Sequence, residues 1–105
     1  KHIEDSAFRL YICDGEGFQL TPNIVRYEGE WTIQEKARNK NWSWRPYFLQ
    51  QLLKLREELV PVLSSSYSDI ETEEPTRTFS IALPNNEYLF VDISYNYLYE
   101  NNIVN

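Results

Sequence analysis

The chain is poor in the residues that carry covalent or metal chemistry: 105 residues include one cysteine, Cys13, one histidine, His2, and three glycines. A lone cysteine cannot close an internal disulfide, and small secreted domains ordinarily carry several paired ones, so a reducing, cytoplasmic setting is expected. His2 lies in the charged opening KHIEDSAF and Cys13 on a strand-like run, which leaves no Cys/His or Ser/His pair for nucleophilic catalysis. Three glycines cannot build a phosphate loop or a dinucleotide fingerprint, and no cluster of metal ligands occurs. No catalytic residue, metal or cofactor is expected. Positive charge is scarce as well. Ten Lys and Arg against sixteen Asp and Glu give a net charge of −6, which repels phosphate backbones and argues against a nucleic-acid partner. No apolar run approaches the roughly 20 residues of a membrane-spanning helix, and the opening lacks the basic-then-apolar layout of a signal peptide. Because that opening runs directly into a strand-like segment, the chain is expected to be part of a longer protein.

What is present suffices for one domain. At 105 residues with 42% hydrophobic and 15% aromatic side chains, a single core is affordable without a disulfide or metal, whereas two would each be undersized. Phe8 to Cys13 alternates with the period of a strand, followed by a turn from Asp14 to Gly17 and a second strand from Phe18 to Leu20. Pro22 and Asn23 interrupt that run, a turn at Glu28 to Glu30 leads to an extended piece from Trp31 to Ile33, and Gln34 to Asn41 reads as a loop. A helix is predicted from Pro46, where a missing N–H costs nothing, to about Glu58. Its apolar positions are Phe48, Leu49, Leu52, Leu53, Leu55 and Leu59, its solvated positions include Gln50, Gln51 and Lys54, and Pro61 stops it. Val62 and Leu63 begin an extended segment, Asp69 to Pro75 form a charged loop, and two strands follow, Arg77 to Leu83 and Tyr88 to Tyr95. The first of these has a greasy face (Phe79, Ile81, Leu83) and a small one (Thr78, Ser80, Ala82), with room beside the latter. The sum is an α+β fold, an antiparallel sheet with a helix on one face.

Two features point to a site. The segment Trp42 to Phe48, WSWRPYF, places Arg45 among aromatic rings at a helix start, where its planar fork can hold a carboxylate or phosphate. The structural alternative is a core anchor in which Trp42 or Trp44 caps the sheet and Arg45 pairs with a local carboxylate. Asp92 sits inside an otherwise apolar strand, so it is either paired, with Arg45 or Arg77, or faces a cavity. Glu71, Glu73 and Glu74 are expected to form a solvated acidic loop.

The order of strand, DGEGF turn, NWSWRPYF, helix, YSDIET, RTFSIAL and YLFVDISYNYLYE resembles the Cache branch of PAS-like sensor domains. More narrowly it is similar to the YkuI C-terminal domain family, found after EAL domains. That resemblance implies a non-catalytic regulatory module whose partner is a cyclic di-GMP phosphodiesterase-like EAL domain in the same parent chain. The module itself has no EAL tripeptide and is too short for a TIM barrel. In amino-acid-binding Cache sensors a pocket motif runs Arg-Pro-Trp, Tyr-x-Asp and a late-strand Asp. Arg45, Tyr67, Asp69 and Asp92 match it, and Tyr47 stands where that motif has Trp. The resemblance thus implies a pocket for a small anionic or zwitterionic ligand lined by Arg45, Tyr47, Tyr67, Asp69 and Asp92. The alternative function is a ligand-free homodimerisation domain using Tyr95, Tyr97 and Tyr99.

Overall fold

The computed structural model describes residues 7–94. Their elements are β1 (Ala7–Asp14), β2 (Asn23–Tyr27), β3 (Glu30–Gln34), a 3-10 turn (Glu35–Ala37), α1 (Pro46–Glu58), β4 (Val62–Leu63), β5 (Tyr67–Ser68), β6 (Pro75–Leu83) and β7 (Glu87–Ser94). The strands form one sheet in the order β3-β2-β1-β7-β6-β4, with β5 also on β6, and every pairing is antiparallel. The expected α+β architecture is therefore observed. Two Tyr-rich positions of the dimerisation reading, Tyr97 and Tyr99, lie outside the described residues together with Tyr95 and His2.

The second strand is not where the sequence pattern placed it. Phe18 to Leu20 joins no ladder and makes only the isolated bridges Cys13↔Gln19 and Phe18↔Asn41. Its backbone bonds on both sides, to β1 as a hairpin does (Asp14 N–H donating to Phe18 O at 2.9 Å and Leu20 N–H to Ile12 O at 2.7 Å) and to the segment before the helix (Gln19 N–H to Lys40 O and Asn39 N–H to Gln19 O, each at 2.8 Å). The strand is β2, which starts directly after Pro22. A proline just outside a ladder removes no strand hydrogen bond, so the residue read as an interruption is a strand start. Between β2 and β3 the two-residue turn has Glu28 at φ 51° and Gly29 at φ 84°, the paired positive values that a tight hairpin requires. Gly17 is needed for a different reason. It sits at φ +93°, and a Cβ there would lie 3.0 Å from the Ser43 Cβ, so only glycine lets the 42–44 segment approach β1.

Helix α1 has the bounds read from its prolines, Pro46 to Glu58, and closes on Leu59 in the left-handed region, whose N–H donates to Leu55 O. Its buried positions are Phe48, Gln51, Leu52 and Leu55, an i, i+3, i+4, i+7 stripe, whereas Leu49, Leu53 and Leu59 are exposed. Gln51, expected on the solvated face, is buried instead. Its amide donates to Thr78 O at 2.9 Å and Ser80 Oγ at 2.6 Å, which ties the helix to the small face of β6.

Register explains what lies under the helix. Arg9 of β1, Asp92 of β7 and Thr78 of β6 are directly opposed, forming one polar rung across the central strands. The next rung is Tyr11, Phe90 and Ser80, and the next Cys13, Tyr88 and Ala82. Cys13, Phe48, Leu52, Leu55, Tyr88 and Phe90 make the core between α1 and these rungs. The greasy set, including Leu10, Ile12, Phe79, Ile81, Leu89 and Val91, occupies the other face and is only half-buried. The polar rung therefore lies at one end of the helix-covered face, beside the segment that enters α1.

Candidate functional site

Arg9 is the centre of the polar rung. An irregularity between Ala7 and Arg9 sets Ala7 opposite Ile93 and Arg9 opposite Asp92, so Phe8 is the extra residue of a bulge and its ring lies 5.0 Å from the Arg9 guanidinium. Arg9 is 7% exposed. Its Nη1 donates to Asp92 Oδ2 at 2.7 Å and to Asp69 Oδ1 at 2.8 Å, and its Nη2 to Asp69 Oδ2 at 3.1 Å and Glu71 Oε1 at 3.2 Å. One guanidinium thus gathers three carboxylates, as its fork geometry allows. The Arg9 Nε–H, also buried, has no acceptor among the described residues.

Each carboxylate is held by its own segment. Asp69 opens the loop between β5 and β6, and its Oδ2 accepts the N–H groups of Glu71 at 3.1 Å and Thr72 at 2.9 Å, an Asx-type turn that fixes the carboxylate with both oxygens within reach of Arg9. Asp92 accepts Thr78 Oγ1 at 2.8 Å from the adjacent strand, with the Tyr67 hydroxyl farther off at 3.4 Å. Of the acidic loop, Glu73 and Glu74 are exposed as expected, while Glu71 reaches inward to Arg9.

A cavity of about 50 Å³ opens beside this cluster. Its lining brings together all five residues picked from the sequence: Arg45, Tyr47, Tyr67, Asp69 and Asp92. The rings of Tyr47 and Tyr67 stack with centroids 4.2 Å apart, and the Arg45 guanidinium lies 4.4 Å from the Tyr47 ring and 5.7 Å from that of Trp44. Arg45 forms no ion pair with any described residue. Trp42, not the exposed Trp44, is the anchor of this segment, its Nε1–H donating to Gln19 Oε1 at 2.9 Å. Gln19 is itself buried and donates to Asn23 Oδ1 at 2.9 Å.

The expected partners of Asp92 need correction. Neither Arg45 nor Arg77 pairs with it: Arg9 does, and Arg77 Nε donates to Ser64 O at 2.8 Å. Arg9 was read as one of several residues alternating with the apolar positions of the first strand. Its signal was the match of Arg9, Tyr11 and Cys13 with Tyr88, Phe90 and Asp92, two strand faces of the same mixed aromatic and ionic character that sit opposite each other.

Electrostatics follow from burial and these contacts. Burial opposes a charge on Arg9, but hydrogen bonds and attraction from Asp69 and Asp92 outweigh it and raise its pKa, so it stays a cation. Desolvation also works against the Asp69 anion, yet its hydrogen bonds to Arg9 and the Thr72 N–H prevail and hold it at about 2. Asp92 is raised, because complete burial outweighs the pull of Arg9 and the Thr78 hydroxyl. Burial pushes Tyr47 up to about 12 and Tyr67 higher still, which keeps both hydroxyls protonated, that of Tyr67 engaged with Thr78 Oγ1 at 2.5 Å.

Asp69 gives a pH prediction. An unfolded aspartate titrates near 3.9, so the unfolded chain binds more protons between that value and about 2, and stability from Asp69 is complete above pH 4 and lost as pH falls toward 2. The raised Asp92 acts with opposite sign, its cost appearing as pH rises above the ordinary carboxylate range. Asp69→Asn should lower stability by about 2 kcal/mol at pH 7 and flatten the limb between pH 4 and pH 2, as read from urea unfolding at a series of pH values. An unchanged acid limb would show that Asp69 is not the titrating group.

With this geometry in view, the relatives are informative. Residues 1–104 match the family model described as the EAL-domain associated signalling protein domain, YkuI_C. The chain belongs to that family. It is 47% identical over 100 residues to the EAL-domain containing protein YkuI of Bacillus subtilis, covering 95% of this chain and 25% of that protein. The solved structure of B. subtilis YkuI, in complex with c-di-GMP and calcium, superposes on 92% of this chain and 24% of the YkuI chain with a TM-score of 0.86 and 48% identity. The YkuI_C chain described here thus spans about a quarter of the relatives it matches, and it is the EAL-associated signalling part, not the EAL domain. The ligand-binding domain of the Campylobacter jejuni chemoreceptor Tlp3, solved with 4-methylisoleucine, covers 88% of this chain and 34% of that one with a TM-score of 0.58 and 16% identity, which establishes the shared Cache-like fold. No helix in the described residues is long and apolar enough to cross a membrane.

Proposed function

We propose that this YkuI_C domain is a non-catalytic, cytoplasmic signal-input module that binds a small anionic or zwitterionic ligand and biases an EAL domain in the same parent chain. The observation that carries the reading is the cavity itself: Arg45, with no carboxylate partner among the described residues, faces the same space as two stacked tyrosines with protonated hydroxyls. A guanidinium backed by aromatic rings is suited to a carboxylate, because the rings exclude water without competing for its donors. The cavity of about 50 Å³ is far below the roughly 300–1,000 Å³ that larger ligands occupy, which supports a small metabolite over a dinucleotide. A buried Cys13 thiol whose pKa burial raises is suited to a reducing setting and to a packing role. Ligand occupancy would act on the EAL domain by population shift, through its differential affinity for two arrangements of the parent protein.

The test is thermal. A ligand at tenfold excess over its Kd adds about 1.4 kcal/mol of stability, which for a domain of this size raises Tm by roughly 5–10 °C. A screen of small carboxylates and amino acids should yield such a shift, and Arg45→Ala should abolish it with little change in the ligand-free Tm. If no compound in the screen moves Tm, the dimerisation alternative gains, and sedimentation should then show a dimer.

A further inference from the structure

We infer that the pocket takes a short carboxylate that lacks an amino group, because Arg9 already fills the place a ligand ammonium would need. This rests on the ligand-pocket reading above and narrows it. An ammonium bound in this cavity requires a buried carboxylate with free acceptor capacity. Both candidates, Asp69 and Asp92, already face a protein cation on the oxygens not used by their own neighbours: each accepts from Arg9 Nη1, at 2.8 and 2.7 Å, and Asp69 accepts Nη2 as well. The remaining Asp69 contacts go to its own turn, the Glu71 and Thr72 N–H groups and the Thr72 hydroxyl, and those of Asp92 to Thr78 and Tyr67. Glu71, the third acid of the lining, also pairs with Arg9.

The cations are disposed the other way. Arg45, Lys36 and Lys40 line the cavity and form no ion pair among the described residues, while the buried Nε–H of Arg9 lacks an acceptor. The lining thus carries four cations, Arg9, Lys36, Lys40 and Arg45, against three acids, and because all three acids turn toward Arg9, the charge left facing a guest is that of Arg45 and the two lysines. A zwitterion would bring its ammonium against the Arg9 guanidinium, a like-charge encounter that works as discrimination against amines. A carboxylate can instead sit at Arg45, the Tyr47 hydroxyl and the lysines, away from the acids that Arg9 holds.

Propionate and alanine make the minimal pair, since alanine is propionate with an ammonium at carbon two. In calorimetry and thermal unfolding of the wild-type chain, propionate is expected to bind and raise Tm, with alanine at least roughly tenfold weaker. Inorganic phosphate serves as a third probe, and Arg45→Ala should remove the propionate effect. Alanine binding as well as propionate, or better, would overturn the inference and leave the ligand-pocket reading standing, as would a response to phosphate alone. If propionate, succinate, alanine and phosphate all leave the wild-type Tm unmoved, both readings fall.

Discussion

Arg9→Ala should lower the stability of the domain by roughly 3–5 kcal/mol, a large fraction of what a chain of this size ordinarily has. The substitution removes one cation and strands two buried carboxylates, Asp69 at 4% and Asp92 at 1% exposure, each of which loses its charged donor. The cost is that of leaving the acids unpaired rather than the worth of the ion pairs themselves, which desolvation largely offsets. Two companion measurements separate this account from a simple loss of side-chain volume. The deficit of Arg9→Ala should shrink as pH falls below about 5, because protonation neutralises the stranded acids. Arg45→Ala, which removes the same kind of side chain from a half-buried position with no ion pair among the described residues, should cost under about 1 kcal/mol. Urea midpoints for both variants at pH 7 and pH 4 give the comparison. Equal losses for Arg9→Ala and Arg45→Ala would contradict the assignment of Arg9 as the neutralising centre.

Phe90→Ala should be comparably severe, at about 3–5 kcal/mol, for a different physical reason. Phe90 is 1% exposed and stacks between two rings, Tyr11 at 5.3 Å and Phe48 at 4.7 Å between centroids. Truncation leaves a cavity that a sheet residue on one side and a helix residue on the other cannot both relax to fill. Tyr11 also borders the cavity beside Arg45, so under the proposed ligand reading its loss of support should weaken binding together with stability. Phe90→Leu, which keeps most of the volume, is expected to recover more than half of the loss in the same unfolding experiment. Were Phe90→Ala to cost under about 1 kcal/mol, the core would not be centred on that rung.

Helix α1 was legible in the sequence because two prolines bracket it and a 3.6-residue stripe runs between them. β6 and β7 were legible from strict alternation, although alternation tells only which residues share a face. It does not tell which face is covered. The greasy positions of β6 and β7 look like the core side, yet α1 packs on the face of Thr78, Ser80 and Ala82, where small side chains let it approach and where Gln51 finds its partners. β2 was missed because Pro22 was weighed as a breaker without asking on which side of it a ladder could begin. At the site, Arg45 among aromatic rings and Asp92 in an apolar strand stood out on their own chemistry, Tyr67 and Asp69 came only through family resemblance, and Arg9 stands outside the matched motif. Finding it requires the register of β1 against β7, a long-range property that no local window of sequence contains.

The central claim is that Arg9 holds both Asp69 and Asp92 while Arg45 remains available to a carboxylate. A crystal structure of the protein grown with propionate tests both halves at once. The account predicts a carboxylate between the Arg45 guanidinium and the Tyr47 hydroxyl, with the bonds from Arg9 to Asp69 and Asp92 unchanged. A ligand that displaces Arg9 from those acids, or a cavity in which Arg45 turns away to pair with a protein carboxylate, would contradict it.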